Sequence, residues 1–320
     1  MIGGLSATGF GEYMARFEYL EPRTLRQAIS MMERYGEDAR LVAGSTDFLI
    51  RWRQGTWQPK IVINLQHISS LDKVNFTKKN GLRLGATATI QDIESNRYVR
   101  EYYPALATGA TSFAGIQIRN LATIGGNICN ASPAGDTLPA LFAFGAECRI
   151  IGSDGERTVP LGQLITGPGQ TSLKRGEILA EIRLPSPEPN TGSIYIKHSP
   201  RGAMDIATVG VASVITLRDG GNLCDNVKVA LGCVAPTPIL ATKAEDVLRG
   251  KTLTTALIDE AASQAEASVT PIDDIRGSAG YRKSIVGALT KRTLERAIEM
   301  AQGNEISYQL QRNLAVQTAF

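Results

Sequence analysis

Apolar residues recur at helical spacing in "EPRTLRQAISMMERYG", where Leu25, Ala28, Ile29 and Met32 fall on one face. Both ends of this helix are legible. Thr24 is a capping residue, Gln27 completes a T-x-x-Q capping box, and Gly36 stands where a left-handed C-terminal residue belongs. Downstream, "ARLVAG" reads as a short apolar strand, "STDFLIRWRQG" as a turn and short helix, and "KIVINL" as a second strand. The order helix–strand–helix–strand predicts a small α/β unit with Gly44-Ser45-Thr46 at the end of its first strand.

The texture changes from about residue 74. "KVNFTKKNGLRLGA" predicts a hairpin turning on Asn80-Gly81. "TATIQDIESN" and "YPALATGATSF" read as helices, the second with Pro104 in its first turn. "DTLPALFAFGA" predicts a further helix, "ECRIIGSDGERTVP" a second hairpin, and "GEILAEIRLP" a strand that closes the unit. The Pro/Ser/Gly-rich segment 185–192, "PSPEPNTG", is the best linker candidate. Beyond it the pattern predicts a small antiparallel sheet turning at Asp219-Gly220-Gly221, then helices. The last of these places Ile285, Leu289, Leu294 and Ile298 on one side. The expected divisions are a flexible leader at 1–13, an α/β lobe at 14–73, a middle α+β lobe at 74–190, and a sheet with a helical bundle at 191–320.

Composition narrows the function classes. The chain has 320 residues, 43% hydrophobic and 20% charged, which is ordinary globular composition with room for two or three domains. A net charge of +3 without a basic block argues against nucleic acid or an anionic membrane as the main partner. No apolar run reaches the roughly 18–20 residues that span a bilayer. The first residues, "MIGGLSATGFGE", lack the pattern of a secretory signal, so a cytoplasmic location is the default expectation. The four cysteines, Cys129, Cys148, Cys224 and Cys233, form no C-x-x-C, and only two histidines accompany them. A zinc or iron–sulfur site is therefore not expected, and the thiols read as buried or idle.

Two glycine-containing turns carry the candidate chemistry: "VAGSTDF" at 42–48 and "ATIGGNI" at 122–128. Glycine lets backbone N–H groups converge on an anion, and Ser45, Thr46, Thr123 and Asn127 add neutral donors. Such a site holds a diphosphate through amide dipoles, without Lys or Arg. Neither segment matches a P-loop or G-x-G-x-x-G, and each alone reads first as a plain tight turn. As a pair in adjacent units they point to one dinucleotide across a cleft. A nucleophile at Cys129 or Ser132 has no histidine near it in sequence. Asp136 opens a helix, either as its N-cap or as an acceptor for a ribose or adenine group.

"LVAGSTDFLI", "QIRNLATIGGNI", "ASPAGDTLPAL" and "YIKHSPRGAMDIATVGVA", in this order and spacing, resemble the FAD-binding medium subunit of the molybdenum hydroxylases, the xanthine, carbon monoxide and nicotinate dehydrogenase family. The likeness covers nearly the whole chain. It implies an α+β, PCMH-type FAD-binding fold: two small lobes gripping FAD, plus a C-terminal antiparallel sheet with a helical bundle. It carries the cofactor contacts, the diphosphate grip among them, to Ala43, Gly44, Ser45, Thr46, Asp47 and Phe48 in the first loop. In the second it carries them to Thr123, Ile124, Gly125, Gly126 and Asn127. Asp136 is assigned to the adenosine portion, Leu179 to an apolar flavin contact, and Tyr195 and Lys197 to the isoalloxazine. No residue is expected to act in acid–base catalysis.

The resemblance further implies an electron-transfer role. A large molybdopterin subunit hydroxylates a small organic molecule, a small subunit with two [2Fe–2S] clusters relays electrons, and FAD here passes them to an external acceptor. The whole is a dimer of heterotrimers, a heterohexamer. Two other readings stand beside it: a flavin-free scaffold bridging the partners, and a free-standing PCMH-type flavin oxidase. The scaffold reading draws on one departure, Ser45 where the family often has glycine. Because serine resists positive φ, the loop is expected either to take a conformation open to L-residues or to hold phosphate differently.

Overall fold

The computed structural model describes residues 16–202 and 204–304; the expected leader at 1–13 lies outside them. The first lobe is a parallel sheet ordered Glu18–Leu20, Ile61–Asn64, Ala39–Val42. Its central strand is buried at every position, as a parallel strand covered on both faces must be. The edge strand Glu18–Leu20 was not legible in the sequence, being three residues long and mostly exposed. The first helix runs Leu25–Tyr35 between Thr24, whose side chain accepts from the Gln27 N–H, and Gly36 at φ +56°. The capping box closes one residue earlier than expected. Gln27 Oε1 accepts from the Arg23 N–H at 2.8 Å, not from that of Thr24.

The middle lobe is a five-stranded antiparallel sheet ordered Val74–Thr77, Gly81–Gly85, Ile178–Leu184, Glu147–Gly152, Gly155–Pro160. The last strand in sequence thus lies at the centre, joining the two hairpins, with Leu184 opposite Leu82 and Ile182 opposite Cys148. The first hairpin turns as expected, with Gly81 at φ +69°. Helix Pro104–Ser112 is buried at all nine positions, which its small Ala, Gly and Thr side chains permit.

That helix is the seam to the third unit. The Ala105 N–H donates to Ser193 Oγ at 3.1 Å, and the Tyr195 N–H to Thr108 Oγ1 at 3.1 Å. The third unit is an antiparallel meander of Thr191–His198, Val209–Leu217, Cys224–Gly232 and Ile239–Leu240. Helices Thr242–Leu248, Thr255–Ala267 and Ala279–Ala301 pack with it. Leu289, Leu294 and Ile298 of the long helix enter a core with Ile194, Val211 and Val229. From the other side of the sheet, Tyr195, Ala212 and Ala230 join the core of the middle lobe. The linker candidate is held where it leaves that lobe: Tyr103 donates its hydroxyl to the Pro185 carbonyl at 2.9 Å.

Candidate cofactor site

The first glycine loop connects strand Ala39–Val42 to helix Phe48–Arg53. A Cβ on Gly44 would stand 1.9 Å from the Leu121 carbonyl oxygen and 2.6 Å from its carbon, so the loop lies backbone-to-backbone on the approach to the second loop. Ser45 follows at φ +58°. The expectation that serine moves the loop into a conformation open to L-residues is therefore corrected: the left-handed geometry is kept, with Ser45 Oγ donating to the Ala43 carbonyl at 3.2 Å. A left-handed non-glycine residue carries a cost of about 1–2 kcal/mol, partly offset by glycine's greater unfolded-state entropy. Ser45→Gly should accordingly raise stability by about 0.5–1 kcal/mol in a thermal melt. A lower melting temperature would mean that the hydroxyl bond outweighs the strain.

The second loop is a helix start. Thr123 caps Ile124–Asn130, accepting from the Gly126 N–H at 3.1 Å. Its other amides are also engaged: the Ile124 N–H donates to Ala88, that of Gly125 to Ala86, and that of Asn127 to Thr123. A Cβ on Gly125 would meet the Ala86 oxygen at 2.6 Å, whereas one on Gly126 would meet only Thr123 Oγ1, at 2.9 Å. Gly126 is thus an exposed, bare stretch of backbone. In the first loop, by contrast, the N–H groups of Ser45, Thr46 and Asp47 have no hydrogen-bond partner among the described residues. The two turns converge, but the amides available to an anion are concentrated on the first.

Between them lies a cavity of about 450 Å³. Of the sequence-predicted residues, Ala43, Gly44, Ser45, Thr46, Asp47 and Phe48 line it from one side of the pair of loops. Thr123, Gly125, Gly126 and Asn127 line it from the other, and Leu179 joins them with its neighbour Ile178 and with Phe113. Ile124 does not: its side chain is wholly buried in the middle core. A cross-link holds the loops together, Asn130 Nδ2 donating to Asp47 Oδ1 at 3.1 Å. Cys129, read as a buried or idle thiol, is exposed and lines the cavity, and no histidine is among the residues lining it.

Asp136, Tyr195 and Lys197 are brought together, though away from the cavity lining. Tyr195 donates its hydroxyl to Asp136 Oδ1 at 2.9 Å, and Lys197 Nζ donates to Asp136 Oδ2 at 2.9 Å and to the Ser112 carbonyl at 3.0 Å. All three side chains are buried. Asp136 is not the helix cap, which is Thr137. Burial pushes the Asp136 carboxyl above its ordinary range, against the opposing pull of the Lys197 ammonium and the Tyr195 hydroxyl. The network touches the cavity wall at two points. Thr137 Oγ1 donates to Asn127 Oδ1 at 2.7 Å, and Ser112 precedes Phe113.

Arg119 explains how the second loop is held. Its Nε lies 2.9 Å from Glu94 Oε2 in a buried ion pair, while Nη1 donates to the carbonyls of Thr111, Phe113 and Ala114 at 3.3 Å each. Sequence reasoning missed Arg40, Arg51 and Trp57, which also line the cavity. The available signal was the basic–aromatic run "RWRQGTW" after the first loop.

Comparison with known proteins gives the family. Residues 15–187 match the family described as "FAD binding domain in molybdopterin dehydrogenase", and residues 194–297 match the "CO dehydrogenase flavoprotein C-terminal domain". The chain is 32% identical over 286 residues to the xanthine dehydrogenase FAD-binding subunit of Escherichia coli O157:H7, covering 89% of this chain and 97% of that one. It is 33% identical over 282 residues to the carbon monoxide dehydrogenase medium chain of Hydrogenophaga pseudoflava, covering 88% and 97%. The solved carbon monoxide dehydrogenase of Hydrogenophaga pseudoflava, in a form lacking the Mo-pyranopterin moiety of its molybdenum cofactor, superposes with a TM-score of 0.84 at 33% identity. That match covers 90% of this chain and 98% of the other. With one family spanning more than half its length and relatives of this closeness covering nearly all of it, the chain belongs to the FAD-binding medium subunits of the molybdenum hydroxylase family of oxidoreductases.

Proposed function

We propose that the chain is the electron-transfer subunit of a molybdenum hydroxylase complex, taking electrons from iron–sulfur clusters on a small subunit and passing them to an external acceptor. Its partners are that small subunit, with two [2Fe–2S] clusters, and a large molybdopterin subunit that oxidises the substrate. The three assemble as a dimer of heterotrimers in the cytoplasm. The observation that carries the reading is the cavity between two converging glycine loops, one of them bearing unpartnered amides.

Bound FAD supplies an isoalloxazine able to exchange two electrons with one partner and single electrons with another. The chain's own residues bind and orient it. The N–H groups of Ser45, Thr46 and Asp47 hold the diphosphate, and Gly126 lets it approach the backbone. Phe113, Ile178 and Leu179 supply the apolar wall that excludes water from the ring system. Asp136, Tyr195 and Lys197 form a polar support behind that wall, reached through Asn127 and Ser112. Turning these groups toward the cofactor requires Asp136 to exchange one of its two donors.

The purified protein should be yellow, with one FAD per chain. Gly126→Val, which adds a branched side chain on bare backbone at the cavity, should remove the flavin absorption with little change in far-UV circular dichroism. Stoichiometric FAD in the variant would exclude Gly126 from the phosphate site. For the electron path, a complex assembled without this chain should still reduce its clusters with the large subunit's substrate but should lose turnover with an external acceptor. Unchanged turnover would overturn the assignment.

A further inference from the structure

Arg40 and Arg51 bring their guanidinium carbons to 3.5 and 4.4 Å from the ring centroid of Trp57. All three side chains are half-buried and line the cavity. Arg51 Nη2 donates to Asn130 Oδ1 at 2.7 Å, a neutral acceptor, and neither arginine pairs with a carboxylate among the described residues. The carboxylates that share the lining are otherwise occupied. Glu177 takes both hydrogen bonds from the Arg157 guanidinium at 2.8 Å, and Asp47 accepts from Asn130. Burial, and then the charge of Arg51, hold the Arg40 guanidinium below its ordinary value.

Two like charges have thus been drawn together on a half-buried wall with neither in a direct ion pair, Arg51 reaching the Asp47 carboxylate only through the Asn130 amide. The face of Trp57 compensates through its quadrupole, but only in part. Such an arrangement is unfavourable until an anion arrives, and the anion then meets guanidinium groups already held in place. The amide inventory points the same way. Four N–H groups of the second loop are engaged within the protein, so a doubly charged diphosphate would find few amide donors there.

We propose that Arg40 and Arg51, mounted on Trp57, supply the counter-charge for the diphosphate of the bound dinucleotide and make its retention dependent on ionic strength. This replaces the sequence-based expectation of a grip made of amide dipoles alone. It rests on the FAD-site reading above and deepens it.

The test uses the full chain stripped of flavin and titrated with FAD, ADP and adenosine at low and high ionic strength. Arg40→Met with Arg51→Met should weaken ADP and FAD by roughly tenfold to a hundredfold, as expected for lost charge-assisted contacts, and flatten their salt dependence. Adenosine, which lacks the diphosphate, should be unaffected. Arg40→Lys with Arg51→Lys keeps both charges and should retain the salt dependence, which provides a readout should the methionine pair fold poorly. ADP binding unchanged in the methionine pair, or adenosine and ADP weakened by the same factor, would overturn the proposal while leaving the FAD site in place. Wild-type protein that binds no FAD would overturn the site reading as well.

Discussion

Gly44→Ala is expected to cost the protein its flavin and part of its stability together. The added methyl would stand 1.9 Å from the Leu121 oxygen, 2.6 Å from its carbon and 3.0 Å from the Ala122 Cα, all backbone atoms. No side-chain rotation relieves such a contact. Nor is the opposing segment free to retreat. The Ala122 N–H donates to Ile118 at 2.7 Å, and the Ala122 carbonyl accepts from Ile90 at 2.9 Å. The first loop must therefore lift away from the second, separating the two walls of the cavity. Overpacking of this kind costs about 1–3 kcal/mol, and here it opens the site at its seam. The thermal midpoint should fall by several degrees, and FAD affinity by more than tenfold on the measure of about 1.4 kcal/mol per decade. Gly126→Ala makes a useful contrast, because its methyl meets only the Thr123 hydroxyl that caps the helix; it should impair binding while lowering the midpoint less than Gly44→Ala does. Gly44→Ala protein with wild-type stability and full flavin content would show that the two loops do not touch as described.

Much of this site was legible before the structure. Periodicity located the first helix, and Asn80-Gly81 located a hairpin, because both signals are local. The two glycine loops could be paired from their place in adjacent units, but nothing in "VAGSTDF" indicates that Gly44 rests on Leu121. Long-range polar contacts were hidden for the same reason. Asp136 suited a helix cap or a nucleotide ligand from its neighbours in sequence; the cap is Thr137, and the side chains that bind Asp136, 59 and 61 residues away, could not be read locally. Arg40, Arg51 and Trp57 come from a strand, a helix and a loop, and only the fold brings them to one wall. Charge counting over the sequence averages such clusters away, so a net charge of +3 gave no sign of two arginines meeting on one tryptophan face. Ser45 shows the converse: the residue's preference was read correctly, but tertiary context overrode it.

Arg119→Ala should be the most destabilising single change near the site. Arg119 is buried, and it binds both the Glu94 carboxylate and three carbonyls at and just beyond the end of helix Pro104–Ser112. Truncation removes the cation from a buried ion pair, which costs about 3–5 kcal/mol because the remaining carboxylate keeps its desolvation penalty without its partner. The carbonyls of Phe113 and Ala114 lose their donor at a turn where Ala114 already sits at φ +41°. Phe113 lines the cavity, so the damage should reach the cofactor: FAD affinity should fall even under conditions where the variant remains folded. The pair can be separated from the turn by a second variant. Glu94→Leu with Arg119→Met removes both charges and fills similar volume, and should recover about half or more of the lost stability, since buried pairs are often replaceable by apolar ones. It should not recover flavin affinity, because the carbonyls of the turn still lack a donor. Denaturant midpoints and flavin titrations on the three proteins decide the matter. An Arg119→Ala midpoint within about 0.5 kcal/mol of wild type would remove Arg119 from the structural account, and full flavin recovery in the double variant would place its role in the ion pair alone.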